Sequence, residues 1–120
     1  MAQGIYDPSG AYRVAQVDGT PKYATVVASA SGATTVVAAV TGKKIRVLAL
    51  EVLANAAVNV KWQSATAPTD KTGLAYLAPN GGYVLPFNPV GWFETIAGEA
   101  LSINLSGAVA VGGSLVYVEV

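Results

Sequence analysis

The stretch Asn80–Gly107, NGGYVLPFNPVGWFETIAGEALSINLSG, decides the fold class of this 120-residue chain. It opens with an Asn-Gly-Gly turn, because these residues adopt positive φ at little cost. A short apolar run follows and stops at Pro86, which has no N–H to donate to a β-ladder. Further on, Leu101, Ile103 and Leu105 alternate with polar residues, the pattern of a strand with one buried face. The stretch therefore predicts a strand at each end.

The centre of the same stretch is rich in aromatic residues. Trp92 and Phe93 are adjacent, so in an extended chain one ring enters the core while the other faces a groove or a neighbour. We predict Phe87, Trp92 and Phe93 as interface candidates, since large aromatic side chains favour interfaces. Glu94 and Glu99 flank the Gly98 turn and could act as a pair in glycoside hydrolysis, but charges at the rim of a turn are far more usual.

Outside this stretch, short apolar runs alternate with turn residues. The pattern predicts strands at 23–30, 34–40, 43–54, 57–63, 74–78, 82–86, 100–106 and 114–120, with a short extra pairing at 92–95. A polar loop is expected at 64–73 and a glycine-rich link at 107–113. Segment 43–54 contains helix formers, but its β-branched residues and Gly42 favour a strand. Because both of its faces are apolar, we expect a central strand that is covered on both sides.

Eight short strands with regular turns predict an all-β fold, an eight-stranded jelly-roll β-sandwich formed by residues 22–120. Trp62 lies in the inward phase of its strand, together with Val58 and Val60, and is expected in the core. An immunoglobulin-like sandwich is the alternative, but its cysteine and buried-tryptophan signature is absent.

Residues 1–21 are predicted to form an extended N-terminal arm. Turn residues interrupt this segment repeatedly, yet apolar side chains lie between the interruptions. An arm that lies on a neighbouring chain would bury them, whereas a flexible terminus is the alternative. The interface candidates in the arm are Tyr6, Tyr12, Arg13 and Val14.

The amino-acid composition excludes several kinds of functional site. The chain has no cysteine and no histidine, which excludes disulfides, thiolate metal sites and Ser-His-Asp catalysis. We predict no enzyme activity, no bound metal and no cofactor. The isoelectric point near 6.1 argues against nucleic-acid binding, and neither a signal peptide nor a membrane span is visible.

Charge is scarce and unevenly distributed. Only 12% of the residues are charged, against 52% hydrophobic. A small domain with so few charges is expected to cover part of its surface with other chains. The net charge is zero, but residues 22–71 are basic and residues 72–120 are acidic. This asymmetry favours complementary contacts between subunits, although it could equally mark two ends of one sandwich.

Three pieces of the chain resemble a class of small virion proteins of tailed bacteriophages: GKKIRVLALEVLA from Gly42, the Asn80–Gly107 stretch, and the final LVYVEV. These proteins look like jelly-roll capsid decoration, or cement, proteins. The resemblance implies a homotrimer made in the host cytoplasm and located on the virion surface, with the major capsid protein as partner. It implies no catalytic residues. A carbohydrate- or receptor-binding module of a phage tail or fibre is the alternative.

Overall fold

The computed structural model describes residue 17 and residues 19–65 and 68–120, and in these ranges every regular element is a β-strand. The strands are β1 (Lys22–Ala28), β2 (Gly32–Val37), β3 (Ile45–Ala54), β4 (Val58–Ser64), β5 (Thr69–Asp70), β6 (Ala75–Leu77), β7 (Gly82–Leu85), β8 (Phe93–Glu94), β9 (Leu101–Leu105) and β10 (Val111–Glu119). The strand interpretation of segment 43–54 is thus confirmed.

The strands form two antiparallel sheets. Sheet 1 has the order β1-β10-β3-β7, and β8 also pairs with β3. Sheet 2 has the order β2-β9-β4-β5, and β6 also pairs with β4. The predicted all-β fold of two sheets is confirmed, whereas the predicted count of eight strands is wrong, since the described residues form ten.

The two additional strands are each two residues long. Strand β8 corresponds to the short pairing expected at 92–95. Strand β5 lies within the segment expected to be a polar loop, and side chains hold it in place: Asp70 accepts hydrogen bonds from Gln63 at 2.8 Å and from Lys61 at 3.1 Å. Two residues are too few to show a periodicity. Strand β10 also begins earlier than expected, because Gly112 and Gly113 belong to it.

The core lies between the sheets and is dominated by alternating residues of β3, β4, β9 and β10. Val60, Trp62 and Ile103 are fully buried, as their alternation predicted. The Trp62 ring lies 6.1 Å from the ring of Phe93, centroid to centroid. The Trp62 Nε1–H donates a 3.0 Å hydrogen bond to the hydroxyl of Tyr83 on β7. This bond joins β4 of sheet 2 to β7 of sheet 1.

Strand β3 is central, between β10 and the β7/β8 edge, but the expectation that both of its faces are covered is wrong along its second half. Glu51 and Leu53 point outward and are exposed. The run of apolar residues has another cause. The pairing of β3 with β10 shifts by one residue between Val116 and Tyr117. Because of this shift, Val47 points into the core before the bulge and Leu50, three positions later, points into the core after it. Such a bulge places apolar residues at both alternating phases of one strand.

Candidate functional site: an apolar sheet face and an aromatic loop

The outer face of sheet 1 carries four of the ten large apolar side chains that are exposed among the described residues. The register of the four strands aligns three rows of outward side chains across it. The rows are Tyr23–Val116–Ala49, Thr25–Ser114–Glu51–Val84 and Val27–Gly112–Leu53–Gly82; together they are called the apolar face. Tyr23 is 81% exposed and Val84 is 65% exposed. Large apolar side chains clustered in this way mark interaction surfaces, whereas single ones do not.

The apolar face is concave in two places. One depression of about 270 Å³ is lined by Tyr23, Glu51, Val84 and Pro86, among other residues. A second lies beside it, next to Leu53 and Gly112, where the missing glycine side chain leaves space on the outer side. Among the described residues that line the two depressions, Glu51 alone is charged, and it contributes to both.

Gly113 is required for a different reason. A Cβ atom at this position would overlap the carbonyl oxygen of Glu51 on the neighbouring strand. The backbone of β10 therefore approaches β3 more closely there than any residue with a side chain would allow.

Residues 86–92, the aromatic loop, extend the apolar surface at the β7/β8 edge. Two backbone bonds fasten this loop to β3: the Asn88 N–H donates to Leu48 O at 2.9 Å, and the Trp92 N–H donates to Val47 O at 2.8 Å. The Trp92 indole N–H donates to Pro86 O at 2.7 Å. Because these bonds fix the loop, Phe87 and Trp92 are held exposed rather than free to turn inward.

The structure separates the predicted interface candidates. Phe87 is exposed and Trp92 is 42% exposed, both in the aromatic loop. Phe93 points the other way and packs against the core, so the expected division between the two adjacent rings is confirmed. Tyr6, Tyr12, Arg13 and Val14, and with them most of the predicted arm, lie outside the described residues. Sequence reasoning missed the apolar face because its residues come from four strands that are distant in the chain.

The outer face of sheet 2 is polar by contrast. Asp70 accepts hydrogen bonds from Lys61 and Gln63. The Asn104 side-chain N–H in turn donates to Gln63 Oε1 at 3.2 Å. The hydrogen bonds from Gln63 and Lys61 lower the pKa of Asp70 below its usual value. Tyr76 extends from the same sheet, opposite Asn59, and is 75% exposed.

Glu94 and Glu99, the possible catalytic pair, have separate partners on different sheets. Glu94 accepts from Arg46 at 2.9 Å and lies 3.3 Å from Lys44 Nζ. Burial raises the pKa of Glu94, but the hydrogen bonds and charges of Arg46 and Lys44 outweigh burial, so the net pKa lies below its ordinary value. Glu99 accepts a 2.6 Å hydrogen bond from the Ser64 hydroxyl. The lowered pKa of Glu94 makes it unsuited to act as a general acid.

Oppositely charged residues that are distant in sequence meet within one chain. Lys22 pairs with Glu119 at 3.0 Å, and Glu94 pairs with two basic residues of β3 and the loop before it. The basic and acidic halves of the sequence therefore neutralise each other across sheet 1. Charge asymmetry is thus a weaker reason for subunit contacts than the apolar face.

Comparison with known proteins yields no relative: no family model, no curated protein and no solved structure matches the chain. The described residues include no cluster of three or more potential metal ligands. They also include no helix of sufficient length and hydropathy to cross a bilayer.

Proposed function

We propose that the chain is a jelly-roll structural protein of a tailed-phage virion, a decoration or cement protein that binds the outside of the capsid and stabilises it. The strand order supports the fold. If β5 and β6 count as one interrupted strand, and β7 and β8 as another, the sheets become 1-8-3-6 and 2-7-4-5 in an eight-strand numbering. First and last strands are then neighbours, and the chain passes repeatedly between the sheets, as in two interlocked Greek keys.

The observation that carries the function is the cluster of exposed apolar side chains on the apolar face and the aromatic loop, which lie on neighbouring parts of sheet 1. A cement protein needs a rigid surface that buries apolar area against a shell, and a sheet supplies one at about 25 cal/mol for each Å² of apolar area removed from water. Trp92 and Phe87 have the size and rigidity of interface anchors. The resemblance of the three sequence pieces supports the same proposal.

In this proposal the protein is a homotrimer on the capsid surface, its partner is the major capsid protein, and residues 1–21 reach a neighbouring subunit. It is made in the host cytoplasm, has no catalytic role and needs no cofactor. The described carboxylates support the absence of catalysis, because those that could form an acid pair are engaged by basic groups or by a hydroxyl. Light scattering should give the mass of three chains or a multiple of it, and a monodisperse monomer at micromolar concentration would contradict the trimer.

The binding test uses emptied heads of the phage that encodes the chain. We expect the wild-type protein to sediment with the heads and to raise the temperature at which they disrupt. The double variant Phe87→Ala/Trp92→Ala should lose both effects, because it removes the anchors while the core stays intact. Tyr76→Ala, an exposed aromatic residue on the opposite sheet, is the matched control and should retain both. If the double variant binds as well as wild type, the aromatic loop is not the anchor.

The polar face of sheet 2 supports a second candidate, a carbohydrate- or receptor-binding module. A sugar ring could stack on Tyr76 while Asn59, Lys61 and Asn104 bond its hydroxyl groups. Binding of the protein to a panel of bacterial surface polysaccharides tests this candidate. Binding that is lost in Tyr76→Ala and kept in Phe87→Ala/Trp92→Ala would favour the glycan function over the capsid function.

A further inference from the structure

Each sheet has two edges, and among the described residues three of these four edges carry features that block further pairing. Strand β2 has an irregular register between Thr35 and Val37. Strand β7 has four residues and is followed directly by Pro86. Strands β5 and β6 have two and three residues. Short strands, prolines and bulges are the usual means by which proteins prevent edge-to-edge association.

The fourth edge, β1, has none of these features. All seven of its residues pair with β10 without a register shift, and β10 is its one neighbour among the described strands. The strand contains no proline or glycine, and its single charge, Lys22, sits at its first residue, where Glu119 binds it at 3.0 Å. An unbroken, nearly uncharged edge presents unpaired backbone N–H and C=O groups to another strand.

The sequence of β1 is compatible with antiparallel pairing to a second copy of itself. If two copies of Lys22–Ala28 pair antiparallel about a two-fold axis at Thr25, the central residue, then all seven residues of each strand are paired. Thr25 faces Thr25, and Tyr23 faces Val27 on the same outer side. Thr–Thr and aromatic–β-branched pairs are among the favourable cross-strand combinations. Lys22 faces Ala28, so the register contains no pair of like charges.

We propose that β1 binds β1 of a second copy of this chain, so that the two copies of sheet 1 form one continuous sheet across a two-fold axis. The apolar faces of the two copies then lie on the same side and join into a single surface. Such a contact is isologous, whereas contacts around a three-fold axis are heterologous. It therefore adds to the proposed trimer and does not depend on it: a dimer forms from monomers, and a hexamer forms from two trimers.

The absence of cysteine from the chain permits a direct test. Residues opposite one another in an antiparallel pair have Cα atoms about 4.5–5.5 Å apart, within the range that a disulfide spans. Thr25→Cys should form a covalent dimer under mild oxidation. The control is Thr35→Cys, an exposed threonine on the β2 edge of sheet 2. Dimer should form at least about tenfold faster with Thr25→Cys, because a preformed pair raises the effective thiol concentration from micromolar towards millimolar. Equal rates for the two variants would overturn the proposal.

A charge swap gives a second, independent measurement. Thr25 is exposed, so Thr25→Lys and Thr25→Glu should melt like the wild-type subunit. Each alone places like charges opposite each other and should halve the mass measured by light scattering, while an equal mixture of the two should restore it. Thr35→Lys should leave the mass unchanged. An odd-numbered wild-type assembly, or Thr25→Lys with wild-type mass, would refute β1 pairing.

The same measurements distinguish this proposal from the proposed function. Loss of head binding with an unchanged even-numbered assembly would refute the cement function alone. Loss of the Thr25 cross-link with head binding retained would refute β1 pairing alone, and would also result if another part of the chain occupied the β1 edge.

Discussion

The hydrogen bond between Trp62 and Tyr83 gives the sharpest test of how the two sheets meet. Trp62 is fully buried, and the Tyr83 hydroxyl is the acceptor for its indole N–H. Tyr83→Phe keeps the ring but leaves that N–H buried without this acceptor. An unsatisfied buried donor costs about 1–3 kcal/mol. For a chain of this length, each kcal/mol corresponds to about 4 °C in melting temperature, so we expect a decrease of about 4–12 °C.

The assays are thermal unfolding, which gives the melting temperature, and urea unfolding, which gives the free energy of unfolding. Both are followed by circular dichroism, which does not depend on the fluorescence of Trp62. Tyr76→Phe is the control, because the Tyr76 side chain is largely exposed and should lose less than about 0.5 kcal/mol, as surface substitutions usually do. If Tyr83→Phe lies within that range as well, the inference that this bond stabilises the contact between the sheets is refuted.

The pH dependence provides a second measurement on the same variant. Burial raises the pKa of Tyr83, and the hydrogen bond from Trp62 offsets burial only in part. The folded pKa is thus above the unfolded value of 10.0, so the folded state retains the proton more strongly. The resulting stability is present below pH 10 and is lost as the pH rises through the folded pKa. Above pH 10, wild type should therefore lose stability more steeply than Tyr83→Phe.

Three further predictions follow from the structure. Ile103→Asp should abolish cooperative thermal unfolding, because Ile103 is fully buried and an unpaired buried charge costs several kcal/mol. A soluble variant with a sharp unfolding transition would show that Ile103 does not point into the core. Gly113→Ala should destabilise the fold by about 1–3 kcal/mol or more, because the added Cβ atom would overlap the backbone of β3. Gly107→Ala is the control and should have little effect, because a Cβ atom there meets no other atom within 4 Å. Equal effects of the two variants in urea unfolding would contradict the close approach of β10 to β3. The pKa of Glu94 is lowered in the folded state, so its ion pairs stabilise the fold above the unfolded pKa of 4.5, and this stability is lost as the pH falls through the folded pKa. Glu94→Gln should therefore be less stable than wild type at pH 7, and the difference should shrink as the pH falls below 4.5. A difference that does not change with pH would show that the ion pairs are not its source.

Local pattern was sufficient to predict most of the strands and the buried side of several of them. In β4 and β9 the apolar residues alternate strictly, and Trp62 and Ile103 are buried as that alternation requires. The reason is that a strand exposes opposite faces at successive residues, so a one-face-buried strand shows its orientation in its own sequence. The aromatic pair at 92–93 follows the same rule.

Pairing between distant strands decided the rest. The register shift opposite Leu48 is invisible in β3 alone, because a bulge is defined by the partner strand. The two-residue strand β5 exists because Asp70 meets side chains of β4. The apolar face collects Tyr23, Leu53 and Val84 from strands up to 61 positions apart in the sequence. A sequence by itself determines which residues favour a buried or an extended environment. Which of them become neighbours, and which apolar side chains remain outside once the core is full, depends on long-range contacts that only the tertiary structure specifies.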